Sequence, residues 1–214
     1  MALEASHIRF ALDIKNYLGI KEMQKYISGV IYPDSRYITR IDRNLTHPQS
    51  LLDNDWTLLD DFKKGMYAHL VYDKVLQNYT DATLTDYLTN LGEFKGQGSE
   101  YWIRLTALKI LQDIEDIKAF DIKTYLPLMD YVENLNGEDI NLLQNYNRFF
   151  QKLFEIPQRY SIEMCYELWD YFGIKGEIAN TLRKRTEEYQ RDSRIKEFIS
   201  SVYSQTLTNW NTLM

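Results

Sequence analysis

The chain has 214 residues, 44% of them hydrophobic and 14% aromatic, which is enough apolar material for a sizeable core and argues against global disorder. A net charge of −6 and a pI near 5.2 leave no basic footprint for a nucleic-acid scaffold. The only thiol, Cys165, excludes an internal disulfide and multi-cysteine zinc sites, so any zinc here must be held by nitrogen and oxygen.

The opening "MALEASHIRFALDIKNYLGIKEM" lacks a basic stretch followed by an apolar one and is not read as a secretory signal. Ser6 is placed to cap a first helix through "HIRFALDIKNYL", with Gly19 ending it. A short helix follows in "IKEMQKYIS", closed by Gly29. From there to residue 55 the chain carries Pro33, Pro48 and several Asp and Asn residues, and it reads as a long helix-poor connection, of a kind that is usually functional. Asp55 or Thr57 would cap "WTLLDDFKKGMYAHLVYDKVLQNY", whose inward side is Leu58, Leu59, Phe62, Met66, Leu70 and Val75.

Beyond it, "TLTDYLTNL" reads as a short helix and "GEFKGQGSE" as a mobile loop. Ser99 then opens a helix over "EYWIRLTALKILQDIEDIKAF". Further helices are predicted over "IKTYLPLMDYVENL", "EDINLLQNYNRFFQKLF" and "SIEMCYELWDYFG", with one long helix from about Lys175 to Trp210. No strand alternation, repeat period or linker emerges, so the expectation is a single all-α domain over 1–214, a bundle of about eight or nine helices. No apolar run approaches the roughly 20 residues of a membrane span, and the expected location is the cytoplasm.

All three histidines, His7, His47 and His69, lie in the first third of the chain. His7 opens the first helix. His47 precedes a proline in the connection, which also holds Asp34 after Pro33. His69 and Asp73 stand four apart in "GMYAHLVYDK", so both project from one helix face. Imidazole and carboxylate are the ligands that a divalent metal takes, zinc first and manganese or iron also compatible. An HxxxD pair alone is a weak signal, and Asp34 alone reads as a turn residue. The set gains weight because it uses every histidine in the chain. Asp113 and Asp116, or Glu163 and Glu167, could add carboxylates, but they read first as exposed helical acids.

The order of His7, "SGVIYPDS", "DRNLTH" and "GMYAHLVYD" resembles the zinc-dependent phospholipase C family and the related S1/P1 nucleases, over about residues 7 to 73. The resemblance implies that fold for the bundle. It also implies one metal held by Asp34, His47, His69 and Asp73, and a second at His7, with Asp73 bridging. Secreted members complete a three-metal cluster with later histidines, a glutamate and their amino terminus. This chain has no histidine after His69, so it cannot build the third site that way.

The function expected on this basis is a metal-dependent phosphoester hydrolase that uses one or two ions, a metal-activated water and a small phosphoester substrate. Asp42 is the candidate for orienting the water. Arg36 and Arg43, with Arg40 between them, are candidates for holding phosphoryl oxygens, which their guanidinium forks match. The alternative is a non-catalytic helical protein that keeps a structural metal or serves as a binding module.

Overall fold

In the computed structural model, residues 4–88, 96 and 98–211 are described, and every regular element among them is helical. The first helix, α1, spans Glu4–Leu18 and ends at Gly19, whose φ of 63° is left-handed. Ser6 lies inside its first turn instead of capping it, and the Ser6 N–H donates to the Asp113 carboxylate at 2.8 Å. α2 spans Met23–Ile31 and runs straight through Gly29, the residue expected to close it.

Packing explains that difference. α5, spanning Asp61–Thr83, crosses α2 with backbone against backbone. A Cβ at Gly29 would stand 2.0 Å from the Phe62 carbonyl oxygen, and one at Gly65 would stand 2.2 Å from that of Tyr26. Both glycines are helical residues whose missing side chain permits the approach. Gly29 therefore marks a crossing, not a terminus.

The connection expected to lack helices is broken into short helical pieces: a 3-10 turn Tyr32–Ser35, α3 (Arg36–Thr39), α4 (Arg43–Thr46) and a second 3-10 turn Gln49–Asp53. Arg40, at φ 62°, ends α3 in the left-handed region. Asp55 caps only a 3-10 turn over Trp56–Leu58, and α5 is capped by Asp60, which accepts from the Lys63 N–H at 2.8 Å. The later start takes Leu58 out of the helical register and leaves it 83% exposed. Phe62, Met66, Leu70 and Val75 are buried as expected.

α6 (Thr85–Leu88) follows; most of the predicted glycine-rich loop lies outside the described residues. α7 spans Glu100–Asp116 behind the expected cap, the Ser99 hydroxyl accepting from the Trp102 N–H. The helix predicted over 122–135 is a 3-10 segment, Ile122–Asp130, in which Pro127 withholds a backbone donor. α8 (Ile140–Phe154) and α9 (Ile162–Tyr171) match their predicted segments. The expected long final helix is two, α10 (Gly176–Arg191) and α11 (Ser193–Asn209). Asp192 is extended there and accepts from the N–H groups of Arg194 and Ile195, at 2.9 and 3.3 Å. The described residues thus hold eleven α-helices where eight or nine were expected.

α5 is the axis of the molecule, with α1, α2 and α11 packed around it and α7 against α1, α10 and α11. One hydrophobic cluster runs from Ala5 to Trp210 and includes the fully buried rings of Phe10, Tyr26, Tyr72, Tyr146 and Trp169. Cys165 belongs to it, 1% exposed, as the small hydrophobe it was read to be.

Candidate metal centre

Five polar side chains converge where α1, the 3-10 turn after α2, the residue ending α4, and α5 meet. His7 comes from α1, Asp34 from the 3-10 turn, His47 from the C-cap of α4, and His69 and Asp73 from successive turns of α5. His7, Asp34, His47 and His69 are each 3% exposed or less, and Asp73 opens to 21%.

Two overlapping triads result, one of His7, His69 and Asp73 and one of Asp34, His47 and His69. Within each, the candidate ligand atoms lie within 4.8 Å of one another. The expected four-residue grouping is therefore divided, with Asp73 falling beside His7 and His69, and His69 common to both triads. Asp73 Oδ1 lies 3.6 Å from His7 Nε2 and Asp73 Oδ2 lies 3.8 Å from His69 Nε2, while His47 Nε2 lies 3.7 Å from Asp34 Oδ1. These separations are long for hydrogen bonds. They are close to the roughly 3.4 Å that separates ligand atoms bound at about 2.0–2.1 Å around a tetrahedral zinc.

The imidazole tautomers are fixed from outside the cluster. His69 Nδ1 stands 2.8 Å from the Val30 carbonyl oxygen, which can only accept, so Nδ1 carries the hydrogen and Nε2 keeps a lone pair. That Nε2 is buried and makes no hydrogen bond. The Gly29–Gly65 crossing is what brings Val30 within reach: Val30 is one residue past Gly29 on α2, and His69 is one turn past Gly65 on α5. His47 Nδ1 lies 3.0 Å from Thr46 Oγ1, whose own hydrogen can go to the Arg43 carbonyl at 3.3 Å, again turning Nε2 inward as an acceptor. The rings of His7 and His69 stack at 3.8 Å, 2° from parallel, and His47 meets His69 edge-on at 5.2 Å.

Electrostatics favour ligation. Burial pushes His47 down to about 3, against the opposing pull of Asp34, and drives His69 well below the ordinary imidazole value with the help of His7. Burial works the other way on the carboxylates but is outweighed: the Lys109 ammonium and the contact with His7 hold Asp73 low, and the Arg36 guanidinium is among the positive charges that hold Asp34 low. Neutral imidazoles and ionised carboxylates are the forms that bind a metal.

The cluster opens on a cleft of about 400 Å³ lined by Asp34, His47 and Asp73 together with Arg36, Arg43, Lys74 and Lys109. Four cationic side chains thus face two carboxylates, on a chain whose net charge is −6. Arg36 stacks its guanidinium over Tyr37 at 4.1 Å and donates to the Tyr37 hydroxyl at 2.7 Å, and its buried Nε makes no hydrogen bond. Arg40 and Asp42 are not among the lining residues. Asp42 is exposed and caps α4, accepting from the Asn44 N–H at 2.7 Å.

Two cationic lining residues were missed by sequence reasoning, Lys74 and Lys109. Lys74 follows Asp73 directly. Lys109 donates to Asp73 Oδ1 at 2.6 Å and is 13% exposed. A lysine inside the apolar run "LTALKIL" was the available signal.

The carboxylates considered as extra ligands divide. Glu163 and Glu167 are exposed, as read from the sequence. Asp113 and Asp116 are buried, contrary to expectation, and engage other partners: Ser6 N–H and the Tyr160 hydroxyl for Asp113, Arg9 and Gln112 for Asp116. Neither belongs to the two triads.

The site thus defines an all-helical chain with a buried histidine–aspartate cluster beneath a cationic cleft. Comparison with protein-family models, with curated proteins and with solved structures found no match.

Proposed function

We propose that the chain is a metal-dependent hydrolase of small phosphoesters, with zinc the first candidate among divalent ions. The observation that carries this reading is His69 Nε2: a buried acceptor without a hydrogen bond, its tautomer set by Val30, aimed at the meeting point of two His/Asp triads. Asp34, His47 and His69 would hold one ion, with His7 and Asp73 beside it. Such an ion, when bound, supplies Lewis acidity that makes water nucleophilic near neutral pH and offsets charge on phosphoryl oxygens. The chain's own residues do the rest. Arg36, Arg43 and Lys74 draw an anion into the cleft and orient it, while burial of the histidines keeps bulk water from their Nε2 atoms. The order of these residues, which resembles that of zinc-dependent phospholipase C, supports the same chemistry.

Elemental analysis of tag-free protein tests the metal. One or more equivalents of a divalent ion are expected in the wild type, with loss in both His69→Ala and Asp34→Ala; unchanged content in the two variants removes the reading. Chelation followed by assay on generic phosphomonoesters and phosphodiesters tests the reaction, with activity expected to return on metal addition.

A second reading, a structural ion in a non-catalytic protein, is favoured by the burial of four of the five candidate ligands. The two differ in whether a coordination position stays open. The visible spectrum of the cobalt-loaded protein should shift on adding phosphate if it does. A spectrum indifferent to phosphate would favour the structural ion.

A further inference from the structure

We propose that Lys109 is a built-in counter-ion for Asp73 that limits this centre to a single divalent ion. The inference rests on the metal reading above and concerns how many ions the cluster accepts. His69 has one lone pair to give, because its Nδ1 hydrogen is committed to the Val30 carbonyl. It can therefore complete only one of the two triads at a time. Asp34 and His47 both line the open cleft, whereas in the other triad Asp73 does and His7 does not, so the triad of Asp34, His47 and His69 is the one that an incoming ion and an incoming anion share more fully.

His7 and Asp73 remain for a second ion, and there the charge is already balanced. Lys109 Nζ sits 2.6 Å from Asp73 Oδ1, the same oxygen that faces His7 Nε2 at 3.6 Å. A dication bound to that oxygen would lie directly against the ammonium. With only one imidazole and a carboxylate oxygen already shared with Lys109 to hold it, it would be excluded. The fixed charge comes from α7, and the Lys109 side chain is itself only 13% exposed and held by Asp73. Lys109 also lines the cleft, and it presents to a bound phosphoryl group the second positive charge that another metal would otherwise provide.

The test is stoichiometry, read without reference to activity. Tag-free protein is stripped by chelation, titrated with zinc by calorimetry, and checked by elemental analysis after gel filtration. The wild type and Lys109→Arg should bind one zinc per chain. Lys109→Met, which keeps length and loses charge, should bind two, and adding His7→Ala to it should restore one. Two ions in the wild type, or one in Lys109→Met, would overturn the counter-ion role while leaving the metal site intact. No ion in the wild type would instead remove the metal reading itself. If Lys109→Met does not fold by circular dichroism, Lys109→Gln carries the same expectation of two.

Discussion

At the scale of single residues, the least conspicuous member of the centre is Thr46. It is fully buried, and its hydroxyl both fixes the His47 tautomer and closes on the Arg43 carbonyl. Partners of this kind orient a ligand without touching the ion, and their loss commonly costs 10–100-fold in metal affinity. Thr46→Val, nearly the same shape, should weaken zinc binding by about that factor in a competition titration with a chromophoric chelator. The fold should change little. An unchanged affinity would mean that His47 is oriented by packing alone. The five candidate ligands were readable from residue type and order, because histidine is scarce in this chain. Thr46, Val30 and Lys109 were not. Tertiary packing alone brings the Val30 carbonyl and the Lys109 ammonium to the cluster, from 39 and 36 residues away, while the Thr46 hydroxyl acts through the local turn that ends α4.

Among the elements, α2 and α5 form the joint on which the rest is hung. Neither glycine at their crossing can be enlarged without moving backbone, since the nearest atoms at both are main-chain. Gly65→Ala should therefore destabilise the fold despite alanine's better helix propensity, by roughly 1–3 kcal/mol as overpacking does. Denaturant melts of the chelated protein would measure it. Zinc affinity should fall in parallel, because separating the helices lengthens the bond between His69 and Val30. Helix positions along the chain were mostly legible from periodicity and caps: Ser99 marked α7 and Gly19 ended α1. The sequence reading went astray where local signals had two meanings. Gly29 looked like a stop but serves an approach, and the apolar pattern across Asp192 hid a break made by one capping carboxylate. Pro127 turned a promising helical segment into 3-10 geometry.

For the molecule as a whole, the buried acids set how stability responds to pH. Asp113 is completely buried, and burial lifts its carboxyl to about 7 although Ser6 and Tyr160 donate to it. In the unfolded chain an aspartate titrates near 3.9. Below about pH 4 both states hold the proton; between about 4 and 7 the native state keeps it while the unfolded chain releases it. Asp113 therefore contributes stability that is present at low pH and lost as pH rises through 7, at most about 4 kcal/mol over the window. Asp34 and Asp73, held low, act in the opposite sense at the acid end. Asp113→Asn should remove the decline assigned to this residue. The difference in unfolding free energy between wild type and variant, followed by urea titration from pH 4 to 8, should change across that window and level off above it. A difference independent of pH would show that Asp113 does not titrate there.

The crossing of α2 and α5 also bears on how this chain can change over time. Two positions 36 apart each admit only hydrogen, and no single substitution at one can be offset by shrinking the other, because what they touch is peptide backbone. Arg36 and Arg43, by contrast, stand on one-turn helices at the rim of the cleft, where side chains can be exchanged without disturbing that joint. A lineage of such proteins is thus free to drift in which anion it admits while its paired glycines stay frozen. A saturation-mutagenesis library would record that division as two intolerant columns, 29 and 65, beside permissive columns at 36 and 43.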